Sequence, residues 1–135
     1  MLLNVPMSVG EVLDKITILE IKLENINDAA KLANVETELS HLRPLVSGDV
    51  FLTDEMIGLI GTLKSINKAL WDIEDDIRIE ESKGDFGSRF IELARAVYVT
   101  NDQRAHVKKQ INMATGSIIV EEKSYEDYSR DETSG

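Results

Sequence analysis

The feature that most constrains the fold is the spacing of apolar residues, which alternates between three and four in four separate segments of the chain. Residues three and four apart lie on one face of an α-helix, so each segment presents an apolar stripe. The first two segments carry Val9, Val12, Ile16, Leu19, Leu23 and Ile26, and then Leu32, Val35, Leu39 and Leu42. The third carries Leu59, Leu63, Ile66, Leu70, Ile73 and Ile77, and the fourth opens with Phe90, Leu93 and Val97. The pattern predicts an all-α chain whose stripes pack together as a helical bundle.

Capping residues and helix breakers predict where the first two helices begin and end. Ser8 and Glu11 form a capping box, which starts the first helix at Val9. Asp28 caps the second helix, and Pro44 ends it because proline cannot donate an interior helical hydrogen bond. The short break between these two helices favours an antiparallel hairpin.

The third and fourth helices are predicted to be longer. Thr53 caps the third helix, whose apolar spacing continues to about Ser82, so that it spans roughly 30 residues and roughly 45 Å. A turn at 83–88 leads to the fourth helix, which Ser88 caps and which reaches about Ala114. The predicted fold is therefore an antiparallel four-helix bundle of two helical hairpins, the second pair longer.

The two ends of the chain lie outside these helices. Residues 2–5 and 117–120 are short and rich in apolar side chains, and we predict that they pair as a short terminal β ribbon or lie extended across the bundle. Residues 129–135 have nothing to bury, which predicts a flexible acidic C-terminal tail after a single domain at 1–128.

Composition and charge exclude several classes of function. The chain has no cysteine, so it has no disulfide, no thiolate metal site and no cysteine nucleophile. Its net charge is −10, and an acidic protein repels phosphate backbones, so nucleic acid is excluded as the main partner. No apolar run approaches the ~20 residues of a membrane span. The start of the chain is unlike a signal peptide, so we expect a cytoplasmic protein.

The apolar stripe of the fourth helix turns polar halfway along, at Asn101, Arg104 and Lys108. Polar residues on a core-facing stripe depart from the helix pattern, and such departures are typical of functional sites. Glu74 flanks the stripe of the third helix, and an antiparallel hairpin brings it towards the early part of the fourth. The candidate ligand-binding residues are therefore Glu74, Arg78, Tyr98, Asn101, Arg104 and Lys108.

Two interpretations of this polar stretch remain open. If it faces an open cavity, Arg104 and Lys108 would bind an anionic small molecule, because the planar fork of arginine suits carboxylates and phosphates. If it is sealed, acidic residues of the third helix such as Glu74 or Asp75 would pair with Arg78 or Arg104 and fix the helix register. A solvent-connected cavity beside these residues distinguishes the first interpretation from the second.

A second candidate is magnesium chemistry in an enzyme similar to the all-helical nucleotide pyrophosphohydrolases. Those enzymes hold Mg²⁺ with an EExxE motif followed by ExxD, since carboxylate oxygens are the ligands that Mg²⁺ prefers. The candidate ligands are acids of the third helix and two of the first: Asp72, Glu74, Asp75, Asp76, Glu80 and Glu81, with Glu11 and Asp14. Glu11 and Asp14 fit ExxD, but they precede the other acids, no EExxE occurs, and the capping box accounts for Glu11. No zinc, phosphate-loop or serine-nucleophile motif is present. We therefore predict no catalytic residue and no cofactor, with Mg²⁺ belonging to this alternative alone.

Four stretches of the sequence are characteristic: SVGEVLDKITILEIK at 8–22, LWDIEDDIR at 70–78, FIELARAVYVTNDQRAHVKKQIN at 90–112 and GSIIVEEKSY at 116–125. Together they resemble a family of small uncharacterised all-helical proteins of bacteria and their viruses, some encoded near surface-polysaccharide or glycosyltransferase genes. The resemblance implies a setting in surface-polysaccharide metabolism and no particular activity. It also implies that 121–125 belongs to the folded part of the chain.

The sequence thus favours a non-catalytic binding or accessory module that recognises an anionic small molecule or a protein partner. Apolar residues beyond those of a single stripe, such as Leu13, Ile57 and Trp71, predict a homodimer. The alternatives are the magnesium-dependent hydrolase and a structural, oligomeric assembly protein that needs no ligand site.

Overall fold

Four α-helices form a bundle in the computed structural model, which describes residues 1–130. α1 spans Val9–Asn25, α2 spans Ala29–Leu42, α3 spans Asp54–Lys83 and α4 spans Ser88–Thr115. Two short 3₁₀ helices, Arg43–Val46 and Asp49–Leu52, lie between α2 and α3. The predicted all-α fold, a four-helix bundle of two hairpins with the longer pair second, is confirmed. None of the helices within residues 1–130 combines the length and the apolar content needed to span a lipid bilayer.

Capping bonds account for most of the helix starts. Ser8 Oγ accepts a hydrogen bond from the backbone amide of Glu11 at 3.1 Å, so α1 begins where the capping box predicts. Asp28 and Thr53 cap α2 and α3 in the same way. α4 differs from the prediction, because Ser88 is its first residue and no side chain caps this end.

α1 is the central helix of the bundle because two of its faces are buried. One face packs against α2 in a cluster made of Val12, Ile16, Leu19, Val35 and Leu39. The other face packs against α3 and α4 in a cluster made of Leu13, Met56, Leu63, Val107 and Ile111. The predicted stripe therefore describes the contact of α1 with α2. Leu13, which the sequence assigns to an oligomer surface, belongs instead to the second core.

The α3–α4 hairpin extends beyond the other two helices. α3 has 30 residues and α1 has 17, which correspond to lengths of roughly 45 and 25 Å. Leu70 is the last buried residue of α3, and Leu93 is the one buried residue of α4 before Val107. The distal part of this hairpin therefore has little core of its own and leaves apolar side chains such as Ile79 and Ile91 exposed.

The prediction of a terminal β ribbon is wrong, since none of residues 1–130 lies in a strand. Leu2 and Leu3 are exposed, and two short strands without further partners are only marginally stable. The C-terminal segment, which we define as residues 117–130, has no regular structure and lies against α4, which is closer to the other predicted alternative, an end that lies across the bundle. Only the first two residues of the predicted tail at 129–135 are described, and the rest of it lies outside the described residues.

α1 and α4 approach each other closely at Gly10. Its backbone amide donates a hydrogen bond to Asn112 Oδ1 at 2.7 Å. A Cβ atom added at Gly10 would lie 2.6 Å from the backbone oxygen of Lys108, so no larger residue fits without a shift of backbone. Glycine is therefore required here by the close approach of the two antiparallel helices.

Substitution of Gly10 by alanine is predicted to destabilise the bundle. The added methyl group must separate α1 from α4, so we expect Gly10→Ala to lower the free energy of unfolding by about 1–3 kcal/mol. Gly58→Ala is the matched control, because nothing lies within 4 Å of its added Cβ, and a better helix former should raise stability by about 0.5–1 kcal/mol. Urea unfolding followed by circular dichroism measures both, and equal effects of the same sign would contradict the close contact.

Candidate functional site

The site begins with a carboxylate buried between three helices. Asp14 lies on the inner face of α1 and is 1% exposed. Arg104 of α4 donates from Nε to Asp14 Oδ1 at 2.8 Å and from Nη2 to Asp14 Oδ2. Asn67 of α3 donates from Nδ2 to Asp14 Oδ1 and to Thr17 Oγ1, both at 2.9 Å. One acidic side chain therefore joins α1, α3 and α4.

Hydrogen bonding allows this charge to be buried. A bidentate arginine matches both oxygens of a carboxylate, and such bonds are stronger than those between neutral groups. The bond to Asp14 is the main cause that raises the pKa of Arg104 above its ordinary value. Within residues 1–130 no buried side-chain nitrogen or oxygen lacks a hydrogen-bond partner. The cluster around Asp14 is thus mutually satisfied.

Lys108 extends this cluster to the C-terminal segment. Its ammonium donates to Glu11 Oε2 at 2.6 Å and to Glu121 Oε2 at 3.2 Å, and it lies 3.9 Å from Asp14 Oδ2. The carboxylate of Glu11 therefore accepts a hydrogen bond from Lys108, whereas the sequence predicted that it would complete the capping box. Hydrogen bonds from Lys123 and then from Lys108 lower the pKa of Glu121. Lys108 thereby connects α1, α4 and the C-terminal segment.

A cavity of about 590 Å³ lies between α4 and the C-terminal segment, and we call it the tyrosine cavity. The chain has three tyrosines, and Tyr98, Tyr125 and Tyr128 all line it. The rings of Tyr98 and Tyr128 meet edge to face with their centroids 5.1 Å apart. Tyr128 donates its hydroxyl to Asp102 Oδ2 at 2.5 Å, and this bond is the main cause that raises the pKa of Tyr128. The remaining lining residues are Val97, Asn101, Arg104, Ala105, Lys108, Lys123 and Glu126.

A second, smaller cavity of about 350 Å³ lies between α1, α3 and α4. Asn101 and Arg104 line both cavities, and their side chains are joined by a hydrogen bond from Arg104 Nη1 to Asn101 Oδ1 at 3.4 Å. Glu74 and Arg78 line this second cavity, where Arg78 donates to Glu74 Oε2 at 2.6 Å. Of the predicted site residues, Tyr98 and Lys108 therefore line the tyrosine cavity and Glu74 and Arg78 the second cavity. Asn101 and Arg104, the latter bonded to Asp14, border both.

The comparison with families of known sequences covers nearly the whole chain. A model of a family of unknown function, DUF6165, matches residues 3–132. The chain belongs to the DUF6165 family. Searches of curated proteins and of solved structures found no match. Membership agrees with the predicted resemblance to a family of unknown activity, whereas the bacterial and viral range and the genomic setting stay predictions.

The sequence of this DUF6165 chain places Arg104 and Lys108 on an inner stripe, but it does not identify Asp14 as their partner. Asp14 belongs to a second stripe of α1, with Gly10, Thr17 and Ile21 at steps of four, three and four. This spacing is present in the sequence, but the longer apolar stripe of the same helix is the stronger signal. Tyr125 and Tyr128 are also missed, because an acidic segment without helical periodicity gives no sign of the helix that it contacts.

The acidic candidates for magnesium are arranged differently from a metal site. Within residues 1–130 no group of three or more histidine, aspartate or glutamate side chains is close enough to hold one ion. Glu11 and Asp14, which fit the ExxD spacing, face Lys108 and Arg104. Their carboxylate charges are therefore balanced by protein cations.

The Asp14 cluster predicts a large difference between two arginines. Arg104→Ala would leave a buried carboxylate without its cation, so we expect the free energy of unfolding to fall by about 3–5 kcal/mol. Arg78→Ala is the matched control, because Arg78 has a 72% exposed side chain in an i,i+4 pair, and such a pair contributes about 0.5 kcal/mol or less. Urea unfolding measures both variants. Similar transition midpoints for the two would show that Arg104 does not stabilise the bundle.

Proposed function

We propose that the protein is a non-catalytic binding module whose ligand occupies the tyrosine cavity. The observation that supports this most is the gathering of all three tyrosines around one solvent-connected cavity of about 590 Å³. Small-molecule sites commonly enclose about 300–1,000 Å³ and combine aromatic walls with a few polar groups. Asn101 and Asp102 offer such polar groups in the lining of the cavity.

In this proposal some residues of the polar stretch form a sealed ion-pair cluster and others face an open ligand site. Arg104 and Lys108 bind carboxylates of the protein, so they fix the wall of the cavity. Tyr98 and Asn101 present their side chains to the cavity and keep their predicted role of orienting a ligand. Recognition then depends on the tyrosines and the polar groups between them more than on the two inner cations.

The ion pairs of Arg104 and Lys108 give little support to the predicted anionic ligand, although the cavity supports a binding function. An anion in the cavity would compete with Asp14 for Arg104 and with Glu11 and Glu121 for Lys108. The expectation of a cytoplasmic protein in surface-polysaccharide metabolism rests on the sequence and its resemblance alone. The cytoplasmic location and the metabolic setting stay predictions of the sequence.

The alternatives have weaker support. A magnesium-dependent hydrolase would bring Glu74, Asp75 and neighbouring acids together around one ion. Glu74 is instead paired with Arg78, and Glu11 and Asp14 are paired with Lys108 and Arg104. A purely structural assembly protein would leave the tyrosine cavity without a role. We therefore retain the binding module as the leading proposal and the homodimer as a feature compatible with it.

A panel of probes tests whether the tyrosine cavity binds ligands. The panel contains choline, glucose and glucose phosphate, and binding is followed through backbone amide resonances in NMR spectra. We expect at least one probe to shift the resonances of Asn101, Ala105 and Tyr125. Ala105→Trp, which fills the cavity, should abolish the shifts, whereas Ala114→Trp, at an exposed position of the same helix, should leave them unchanged. A panel without any shift at these residues would refute the proposed function.

The predicted homodimer has support from the distal part of the α3–α4 hairpin. Ile91 and Val99 are exposed on α4 and line a shallow apolar cleft together with Ala96. If a second copy covers this cleft, light scattering should give twice the mass of one chain, and Ile91→Glu should reduce it to that of a monomer. Gln110→Glu, at an exposed position of the same helix, is the control. A monomer mass for the unchanged protein would contradict the dimer.

A further inference from the structure

We propose that the ligand of the tyrosine cavity carries an organic ammonium group, which lies against the three tyrosine rings. The inference rests on the proposed function, because it names the class of ligand for the same cavity. It differs from the sequence-based prediction of an anionic ligand. Three independent observations support it: the pairing of charges around the cavity, the nature of its walls, and the position of one of its own lysines.

The pairing of charges leaves the cavity acidic. Arg104 pairs with Asp14, Lys108 pairs with Glu11, and Lys123 pairs with Glu121 at 2.8 Å, so each cation of the wall has a carboxylate partner. Asp102 and Glu126 also line the cavity, and neither forms an ion pair with any of residues 1–130. Two negative charges are therefore uncompensated at the cavity surface. A cationic ligand would balance them, whereas an anion would be repelled.

The walls of the cavity suit an alkylated cation better than a metal ion. The face of an aromatic ring is negative, so a cation within about 6 Å of a ring centroid is attracted to it. Quaternary ammonium groups are recognised through this attraction, because they are weakly hydrated and bring methyl groups into contact with the rings. Tyr98, Tyr125 and Tyr128 supply such rings, and Val97 and Ala105 supply apolar surface between them.

The chain's own Lys123 indicates that an ammonium group is accommodated at this wall. Its Nζ atom lies 6.0 Å from the centroid of the Tyr125 ring, at the range of a cation–π contact. The same lysine lines the cavity and has a side chain that is 46% exposed. A ligand ammonium elsewhere in the cavity would meet the other two rings and the carboxylate of Asp102, which line it as well.

Choline and its uncharged carbon analogue, dimethylbutanol, separate charge from shape. The two molecules have the same size, but only choline carries a positive charge. We expect choline to shift the amide resonances of Asn101, Ala105 and Tyr125. The affinity of the uncharged analogue should be lower by roughly tenfold or more. Equal binding of the two would overturn the proposal, because it would assign recognition to apolar contact alone.

Variants of Tyr125 test the role of the rings without threatening the fold, because this residue is 80% exposed. Tyr125→Leu keeps apolar volume and removes the ring, so choline affinity should fall roughly threefold to thirtyfold. Tyr125→Phe keeps the ring and should retain most of the affinity. If phenylalanine and leucine behave alike, the ring does not contribute and the proposal fails.

Lys123→Met gives opposite results for the two classes of ligand. It removes a competing cation and releases Glu121 from one of its two lysine partners, so choline should bind more tightly. An anion-binding cavity would instead lose affinity for glucose phosphate. Weaker choline binding in this variant would overturn the ammonium proposal. The same holds if glucose or glucose phosphate shifts the cavity resonances and choline does not. Either result would leave the binding module intact. The absence of shifts with every probe would overturn both.

Discussion

The bundle depends on one buried carboxylate, that of Asp14, and on the two side chains that bond to it, those of Asn67 and Arg104. A charge that is 1% exposed would be strongly unfavourable without partners, so α1 can pack against α3 and α4 only where Asn67 and Arg104 meet it. Replacing such a cluster by apolar residues is often neutral or stabilising, so its contribution lies in fixing register more than in adding stability. A slip of α4 by one turn would leave Asp14 without its arginine.

The same cluster shapes the candidate site. Arg104 and Lys108 are held by carboxylates of α1, and the face of α4 that carries them forms one wall of the tyrosine cavity. Lys108 also bonds to Glu121, which holds the C-terminal segment against α4 as the opposite wall. An irregular segment with few buried apolar residues thereby becomes part of a defined cavity. The polar interior and the cavity are consequences of one set of ion pairs.

The sequence predicted those features that depend on nearby residues. Helix starts at Val9 and Asp54 follow from side chains that bond to amides three residues later, and the inward orientation of Arg104 and Lys108 follows from one helical stripe. The contacts that it did not predict join distant parts of the chain, such as Tyr128 with Asp102. The β ribbon was wrong because a short apolar run carries no periodicity that distinguishes a strand from an irregular segment.

The charge of a ligand cannot be inferred from the cations that line its cavity until their partners are known. Arg104 and Lys108 were predicted to bind an anion, on the assumption that their positive charges were available. Once carboxylates from α1 and the C-terminal segment are assigned to these two cations and to Lys123, the remaining charge at the cavity is that of Asp102 and Glu126. The net charge of −10 acts in the same direction, because it repels anions at long range and attracts cations. The partners of the buried cations, and not the cations themselves, therefore determine which class of ligand the cavity favours.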